Sequence, residues 1–435
     1  MIQVKAVAII GANGAMGASS AGIIASFGNC RVYMVARNSD KAKAGINCAV
    51  DSVRSDSIRH RLIPKTFEQM TDFVPHCDWV LEALPEDLRV KQEMYARIDP
   101  LLKSGTIVST VTSGLSIARL AESLSVRKRT RFFGTHFFNP PYRMLLCELT
   151  PHRSTDHVLL AAFRQYLEEI LYRKVVVSTD TPAFVGNRIG FQMLNEAAQF
   201  AEEHAKDGGV ALADRLLSGV TGRVMPPLVT IDFVGLDVHK AIVSNLYGHL
   251  EGRLRDSFLL PAFMDHLINL GKLGFKAGEG LYKRVKYPDG RKETLVYDIV
   301  AKDYQPKPVI QAPVLSRVAK IVAVSDYERA FSVLKNSKSF EARVCHRFIA
   351  GYISHALSLV GTVVKQKEDV DIAMGYGYNW VPPSALVDLL GGLRATRKFI
   401  ERCDLPVPLA LSGNETGRYY TLSGTLDARR FIVAN

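Results

Sequence analysis

No stretch of this chain approaches about eighteen consecutive apolar residues, so no membrane-spanning helix is indicated. Metal-type cysteine spacing is also missing. The six cysteines (Cys30, Cys48, Cys77, Cys147, Cys345 and Cys403) are scattered, with no C-x-x-C pair and no histidine spacing that suggests zinc. They read as buried reduced thiols of a cytoplasmic protein. Cys147 adjoins Glu148, but Leu145 and Leu146 before it look like core strand, which argues against a nucleophile. The start MIQVKAVAIIGANG is too short an apolar run, and lacks the tail, for a signal peptide; the end RRFIVAN carries no retention or prenylation signal. A net charge of +12 comes without a basic patch interleaved with aromatics, so nucleic acid is not expected. The charge suits the steering of a polyanionic small molecule, such as a nucleotide or a coenzyme A ester. With 435 residues, 47% of them hydrophobic, two or three globular domains are expected.

What is present begins with a buried-strand pattern over 4–11, VKAVAIIG. It is followed by Gly11, Gly14 and Gly17, and then by a helix pattern. Strand, glycine-rich turn and helix make a dinucleotide-binding opening, in which the backbone approaches a pyrophosphate resting on the helix N-terminus. The spacing G-x-x-G-x-x-G is one residue longer than G-x-G-x-x-G, so the turn must bulge. The second strand, CRVYMVAR, ends in Ala36 and Arg37, where an NAD enzyme carries an acid for the ribose hydroxyls. A guanidinium suits a phosphate monoester, which favours NADP over NAD; Arg37 could equally stack on adenine or face water. A basic helical segment follows, with Lys41, Lys43, Arg54, Arg59, Arg61 and Lys65. Glu82-Ala83-Leu84-Pro85-Glu86 lies at a later strand's exit, the carboxyl edge where ligands bind.

The most informative stretch runs from Ser113 to Glu148. His136 stands at the end of an apolar run and is followed by Asn139, Pro140 and Pro141, which cannot extend a central ladder. Twelve residues on, Glu148 sits inside LLCEL, where a carboxylate is costly to bury without a partner. An imidazole is the obvious one. A satisfied core histidine and an edge-strand glutamate are the plainer alternatives.

Repeated strand–helix alternation makes 1–180 a doubly wound α/β Rossmann-type domain. From 181 the pattern turns helical, with a long helix introduced by Thr181-Pro182. An internal repeat follows. Asn187-Arg188 and Pro226-Pro227, with Asp232 and Gly235, correspond to His346-Arg347 and Pro382-Pro383, with Asp388 and Gly391. The expected domains are therefore a first helical one at 181–285, a connector at 286–312, and a second, non-catalytic helical copy at 313–435.

On these motifs the chain resembles the L-3-hydroxyacyl-CoA dehydrogenase family. Gly-Thr-His-Phe-Phe-Asn-Pro at 134–140 carries the likeness most specifically, with Asp180 to Arg188 and Glu82 to Glu86 plus Lys91 beside it. The resemblance implies hydride transfer between a 3-hydroxyacyl-CoA and an NAD or NADP cofactor, as in fatty-acid β-oxidation. It implies His136 as general base, Glu148 as its paired acid, and Ser113 and Asn187 at the reacting oxygen. It further implies Asn139 on the substrate side, and Glu86 and Lys91 near the nicotinamide ribose and the cofactor's phosphates. The second helical copy would take the place of a partner's domain, giving a monomer or a homodimer, with no metal. Three features depart from the family pattern: the missing acid after the second strand, Val111 and Gly114 around Ser113, and a short basic segment after Arg37. They keep open two alternatives, a dehydrogenase of a small free hydroxy acid and a non-catalytic, crystallin-like dinucleotide binder.

Overall fold

In the computed structural model, which describes residues 2–223 and 225–412, the chain divides into two units. The first comprises Met1–Val185 together with Thr362–Lys365; the second comprises Gly186–Gly361 and the residues from Gln366 onward. The break therefore falls five residues later than the sequence-based boundary at 180.

The first unit is built on eight strands: β1 (Ala6–Ile10), β2 (Arg31–Ala36), β3 (Leu62–Thr66), β4 (Trp79–Glu82), β5 (Ile107–Thr110), β6 (Phe132–Phe137), β7 (Leu146–Thr150) and β8 (Lys174–Val177). Their order is β3-β2-β1-β4-β5-β6-β7-β8. Val7 and Ile9 pack into one core cluster and Ala8 and Ile10 into another. Burial on both faces explains why these strands read as unbroken apolar runs. Helix α1 (Ala15–Phe27) follows β1, α2 (Ser39–Val53) follows β2, and α3 (Leu88–Ile98) follows β4. From β3 to β6 the pairings are parallel; β7 runs antiparallel to β6. Only residues 138–145 separate β6 from β7. A parallel crossover needs about a dozen residues or more, so the chain can only double back.

The second unit carries the tandem repeat. Its first copy contains α4 (Gly186–Glu203) and α5 (Pro227–Val234); the second contains α6 (Phe340–Ser358) and α7 (Pro383–Leu389). The copies share an atomic device. Asp214 accepts from the Leu228 and Val229 N–H groups at the start of α5, and Asp371 accepts from the Ser384 N–H at the start of α7. Each Pro-Pro helix is thus capped by a buried carboxyl from an earlier helix. Gly235 (φ 103°) and Gly391 (φ 100°) end the two segments alike. The copies are joined where equivalent loops meet: Arg223 bridges to Trp380, and the Val381 N–H donates to the Gly222 carbonyl at 2.8 Å.

The segment read as a connector is a three-stranded antiparallel sheet: β9 (Tyr282–Lys286), β10 (Lys292–Asp298) and β11 (Asp303–Pro306). Lysine, arginine and threonine on its exposed positions dilute the apolar signal. Pro288-Asp289-Gly290, with Gly290 at φ 83°, is the turn chemistry that betrays the hairpin. The helix expected to start at Thr181-Pro182 starts instead at Gly186. Among the described residues, no helix is long and apolar enough to cross a membrane.

Buried titratable groups in this unit oppose one another. Burial pushes the Asp214 and Asp371 carboxyls up to about 7, and pushes the His239 and His355 imidazoles down to about 3. An acid raised on folding binds protons that the unfolded chain releases, so it costs stability as pH rises through ~4–7. An imidazole lowered on folding does the reverse, adding stability as pH rises toward ~6.5. Replacing Asp214 with asparagine removes one falling contribution. The variant's melting temperature should then rise between about pH 5 and pH 7 by about 5 °C relative to the wild-type trend. Circular-dichroism melts at the two pH values check this; parallel trends for both proteins would contradict it.

Candidate active site

The strand order sets the residues singled out in the sequence in a row. Along the carboxyl edge of the sheet, Arg37 follows β2, the glycine turn follows β1, Glu86 follows β4, Ser113 follows β5, and His136 sits near the end of β6. The β1 strand has β2 on one side and β4 on the other, so the glycine turn stands at the topological switch point.

The turn itself is tight. The Gly11 and Ala12 N–H groups both donate to the Val35 carbonyl, and the Gly14 N–H folds back onto the Gly11 carbonyl at 3.1 Å, absorbing the extra residue. Gly11 adopts φ 89°, and a Cβ there would lie 2.5 Å from the Ala83 carbonyl oxygen, so only glycine fits. A Cβ on Gly14 would meet nothing nearer than 3.4 Å and would project into the open mouth. No side chain caps α1 and no acid lies in its first turn, while Asn13, Gly14 and Ala15 are exposed. The helix thus presents bare N–H groups and the positive end of its dipole. Gly17 packs inward, where a Cβ would lie 2.5 Å from the Gly11 carbonyl. Arg37 is exposed beside this mouth, and Ala36 leaves no acid at the strand end. Of the basic residues that follow, Arg59 is tied to Asp56 and Asn47, and Arg61 to the Ala25 carbonyl.

Beneath Glu86 lies a buried polar network. Glu82, fully buried, accepts from the Lys91 ammonium (2.8 Å), the Tyr95 hydroxyl (2.6 Å), the Thr110 hydroxyl (2.8 Å) and the Leu84 N–H. Lys91 is also fully buried, donates to the Leu84 carbonyl and stands 3.5 Å from Glu86. The Lys91 ammonium, expected near the cofactor's phosphate side, is held beneath the surface beside Glu86. Glu86 in turn accepts from the Thr112 hydroxyl and from the Ser113 N–H at 2.9 Å. Asp180 fixes the other end of the Ser113 loop by accepting from Ser116, Ile117 and Ala118.

The row ends at the His136–Glu148 pair. The antiparallel register of β6 and β7 sets the two residues directly opposite each other. His136 Nδ1 lies 2.7 Å from Glu148 Oε2, and both side chains are buried. The other carboxylate oxygen accepts from the Val185 N–H at 3.0 Å. Ala183 (φ 59°) and Phe184 (φ 51°) adopt the left-handed region on the way to Val185. For non-glycine residues that costs roughly 1–2 kcal/mol each, offset by burial of the Phe184 ring near His136 and by the Glu148 bond. Phe138 packs edge-on against the imidazole at 4.5 Å. With Nδ1–H donated to the carboxylate, Nε2 carries the lone pair, and it has no hydrogen-bond partner among the described residues.

Asn139 is exposed just past the end of β6. Asn187 belongs to the second unit, buried near the start of α4, where its Oδ1 accepts from the Tyr378 hydroxyl at 2.9 Å. Cys147 is fully buried, and burial drives its thiol pKa far up, so it is no nucleophile. The sequence alone assigned no site role to Glu82, Thr112, Asp180, Tyr378 or the Val185 N–H. Glu82 was findable, since a carboxylate in the run WVLEAL raises the same question as Glu148 in LLCEL.

Comparison with known proteins gives a consistent answer. Residues 6–181 match the family model described as "3-hydroxyacyl-CoA dehydrogenase, NAD binding domain", and residues 184–284 match its C-terminal domain. A probable 3-hydroxyacyl-CoA dehydrogenase of Deinococcus radiodurans is 32% identical over 66% of this chain and 84% of its own length. A probable 3-hydroxyacyl-CoA dehydrogenase of Bacillus subtilis is 30% identical over 82% of this chain; the match spans 44% of that longer protein. The crystal structure of 3-hydroxybutyryl-CoA dehydrogenase from Escherichia coli superposes with a TM-score of 0.70, over 99% of this chain and 98% of that one, at 22% identity, a likeness of fold. Two adjoining domain matches and a relative covered along most of its length leave one assignment: the chain belongs to the 3-hydroxyacyl-CoA dehydrogenase family of oxidoreductases.

Proposed function

We infer that this chain interconverts a 3-hydroxyacyl thioester of coenzyme A and the 3-ketoacyl thioester, a step of the kind used in fatty-acid β-oxidation, with a nicotinamide dinucleotide as hydride carrier. The observation that carries the reading is the buried 2.7 Å contact between His136 Nδ1 and Glu148 Oε2 at the carboxyl edge of a dinucleotide-type sheet. The cofactor fits the residues present: the uncapped start of α1 and the space above Gly14 accept a pyrophosphate. Glu86, held by Lys91, faces the cofactor side. When bound, the nicotinamide supplies the hydride acceptor or donor.

The chain's own part is proton transfer and charge placement. In the oxidation direction His136 Nε2 takes the hydroxyl proton, and Glu148 stabilises the imidazolium that forms. In the reduction direction the imidazolium returns the proton to the nascent alcohol oxygen. Ser113 and Asn187 donate to that oxygen as it gains negative charge, and Asn139 lies on the substrate side. Phe138 and Phe184, packed around the imidazole, limit water at the base.

Cofactor choice follows from the end of β2. With Ala36 in place of an acid and Arg37 exposed, NADPH should bind about tenfold more tightly than NADH. Titration of both by nicotinamide fluorescence checks this, and tighter NADH binding would overturn it. The activity is tested by offering acetoacetyl-CoA, longer 3-ketoacyl-CoA esters and free keto acids with each reduced cofactor. Oxidation of the cofactor by thioesters is the expected result; turnover of free keto acids alone would transfer the site to a small hydroxy acid.

A further inference from the structure

The second helical copy looks from its sequence like a structural duplicate, because it has His346 where the first has Asn187. His346 behaves accordingly, with Nε2 2.7 Å from the Leu334 carbonyl in its own copy. Yet this copy sends one side chain to the first copy's asparagine. The Tyr378 hydroxyl lies 2.9 Å from Asn187 Oδ1. Gly190, one turn along α4 from Asn187, makes room for the ring: a Cβ there would stand 2.2 Å from Tyr378 Cζ. The ring therefore lies against α4 at a position where the helix has no side chain.

The loop that delivers the tyrosine is itself unusual. Met374–Tyr378 is a π-helical turn closed by Asn379 at φ 57°, ψ 36°, a geometry that costs energy and recurs at functional sites. Trp380 packs at 5.0 Å from the Tyr378 ring and stacks on the buried Arg223 guanidinium at 4.6 Å, anchoring the loop on the first copy. Four residues before the first proline of each Pro-Pro pair, Tyr378 corresponds to Gly222. The equivalent loops pair with each other, but only one of them carries a phenol, and it is the loop that reaches Asn187.

We propose that Tyr378 is a positioning residue for the reaction: its hydroxyl fixes the Asn187 amide so that Nδ2–H2, and not Oδ1, is offered to the substrate oxygen. This rests on the reading of Asn187 given under Proposed function. An amide carries one acceptor and two donors. An O–H donor on Oδ1 excludes the flipped amide, in which Oδ1 would face a developing alkoxide and repel it. The same bond polarises the amide and strengthens the N–H that remains. Asn187 Nδ2 makes no hydrogen bond among the described residues and is left for a ligand.

The test is a double-mutant cycle in the full chain with Tyr378→Phe, Asn187→Ala and the pair, read as reduction of acetoacetyl-CoA. Tyr378→Phe keeps the ring against Gly190 and removes only the hydroxyl. It should lower kcat about tenfold, leave the KM for the nicotinamide cofactor unchanged, and leave the pH profile of kcat in place. The double variant should fall no further than Asn187→Ala alone. Wild-type kcat in Tyr378→Phe, or losses that multiply in the double variant, would overturn the proposal while the role of Asn187 stands. Wild-type kcat in Asn187→Ala would instead remove the asparagine from the reaction, and the proposal with it.

Discussion

Replacing His136 with glutamine should lower kcat about a thousandfold while the dinucleotide still binds. Glutamine fills similar space, and its amide N–H can still donate to Glu148, so no buried charge is orphaned. What it lacks is a basic nitrogen with a lone pair to take up the hydroxyl proton. The cradle for the dinucleotide lies at the exit of β1, with β4 and β5 between it and β6, and none of its hydrogen bonds involves His136. Initial rates of 3-ketoacyl thioester reduction and a fluorescence titration of the reduced cofactor read the two effects separately. Turnover within about tenfold of wild type would end the general-base role. Lost turnover together with lost cofactor binding would point to a collapsed fold.

Removing the buried carboxylate of Glu82 should cost roughly 3–5 kcal/mol of stability in the first unit. In Glu82→Ala the Lys91 ammonium stays fully buried with only the Leu84 carbonyl and a 3.5 Å approach to Glu86, and the Tyr95 and Thr110 hydroxyls lose their acceptor. A stranded buried charge costs more than the pair was worth. Adding Lys91→Met should therefore recover part of the loss. Urea unfolding of the three proteins measures this, and a single variant within about 1 kcal/mol of wild type would show that water reaches Lys91. Glu86 and the Ser113 N–H hang from the same network, so surviving protein should also bind cofactor less tightly.

Which parts of this molecule were legible in its sequence follows from how local the cause was. The β1 run, the glycines after it and the start of α1 are contiguous, and each residue type has one physical reason to be there. His136 and Glu148 were legible as a pair because a short hairpin sets them opposite each other, twelve positions apart, inside apolar runs. The reversal of β7 was not read, although the short Pro-containing link made it unavoidable. The hairpin at β9 and β10 was missed because half of its side chains face water and carry charge, which hides a period of two. The burial of Lys91 was not legible, because only the fold brings its ammonium onto Glu82, nine residues earlier. Tyr378 was beyond reach. It meets Asn187 across 191 positions, and its local context, MGYGYNW, contains nothing that names the target.

The crossed loops of the two helical copies have a consequence for dilution. Were the loop that carries Tyr378 supplied by a separate polypeptide, the fraction of sites holding it would follow mass action and fall at low protein concentration. Here Gly222, Val381, Asn187 and Tyr378 belong to one chain, and the linked copy acts at an effective concentration set by the linker and not by the solution. Specific activity should therefore hold constant as the enzyme is diluted through the nanomolar range, where a loop borrowed from a partner would be lost.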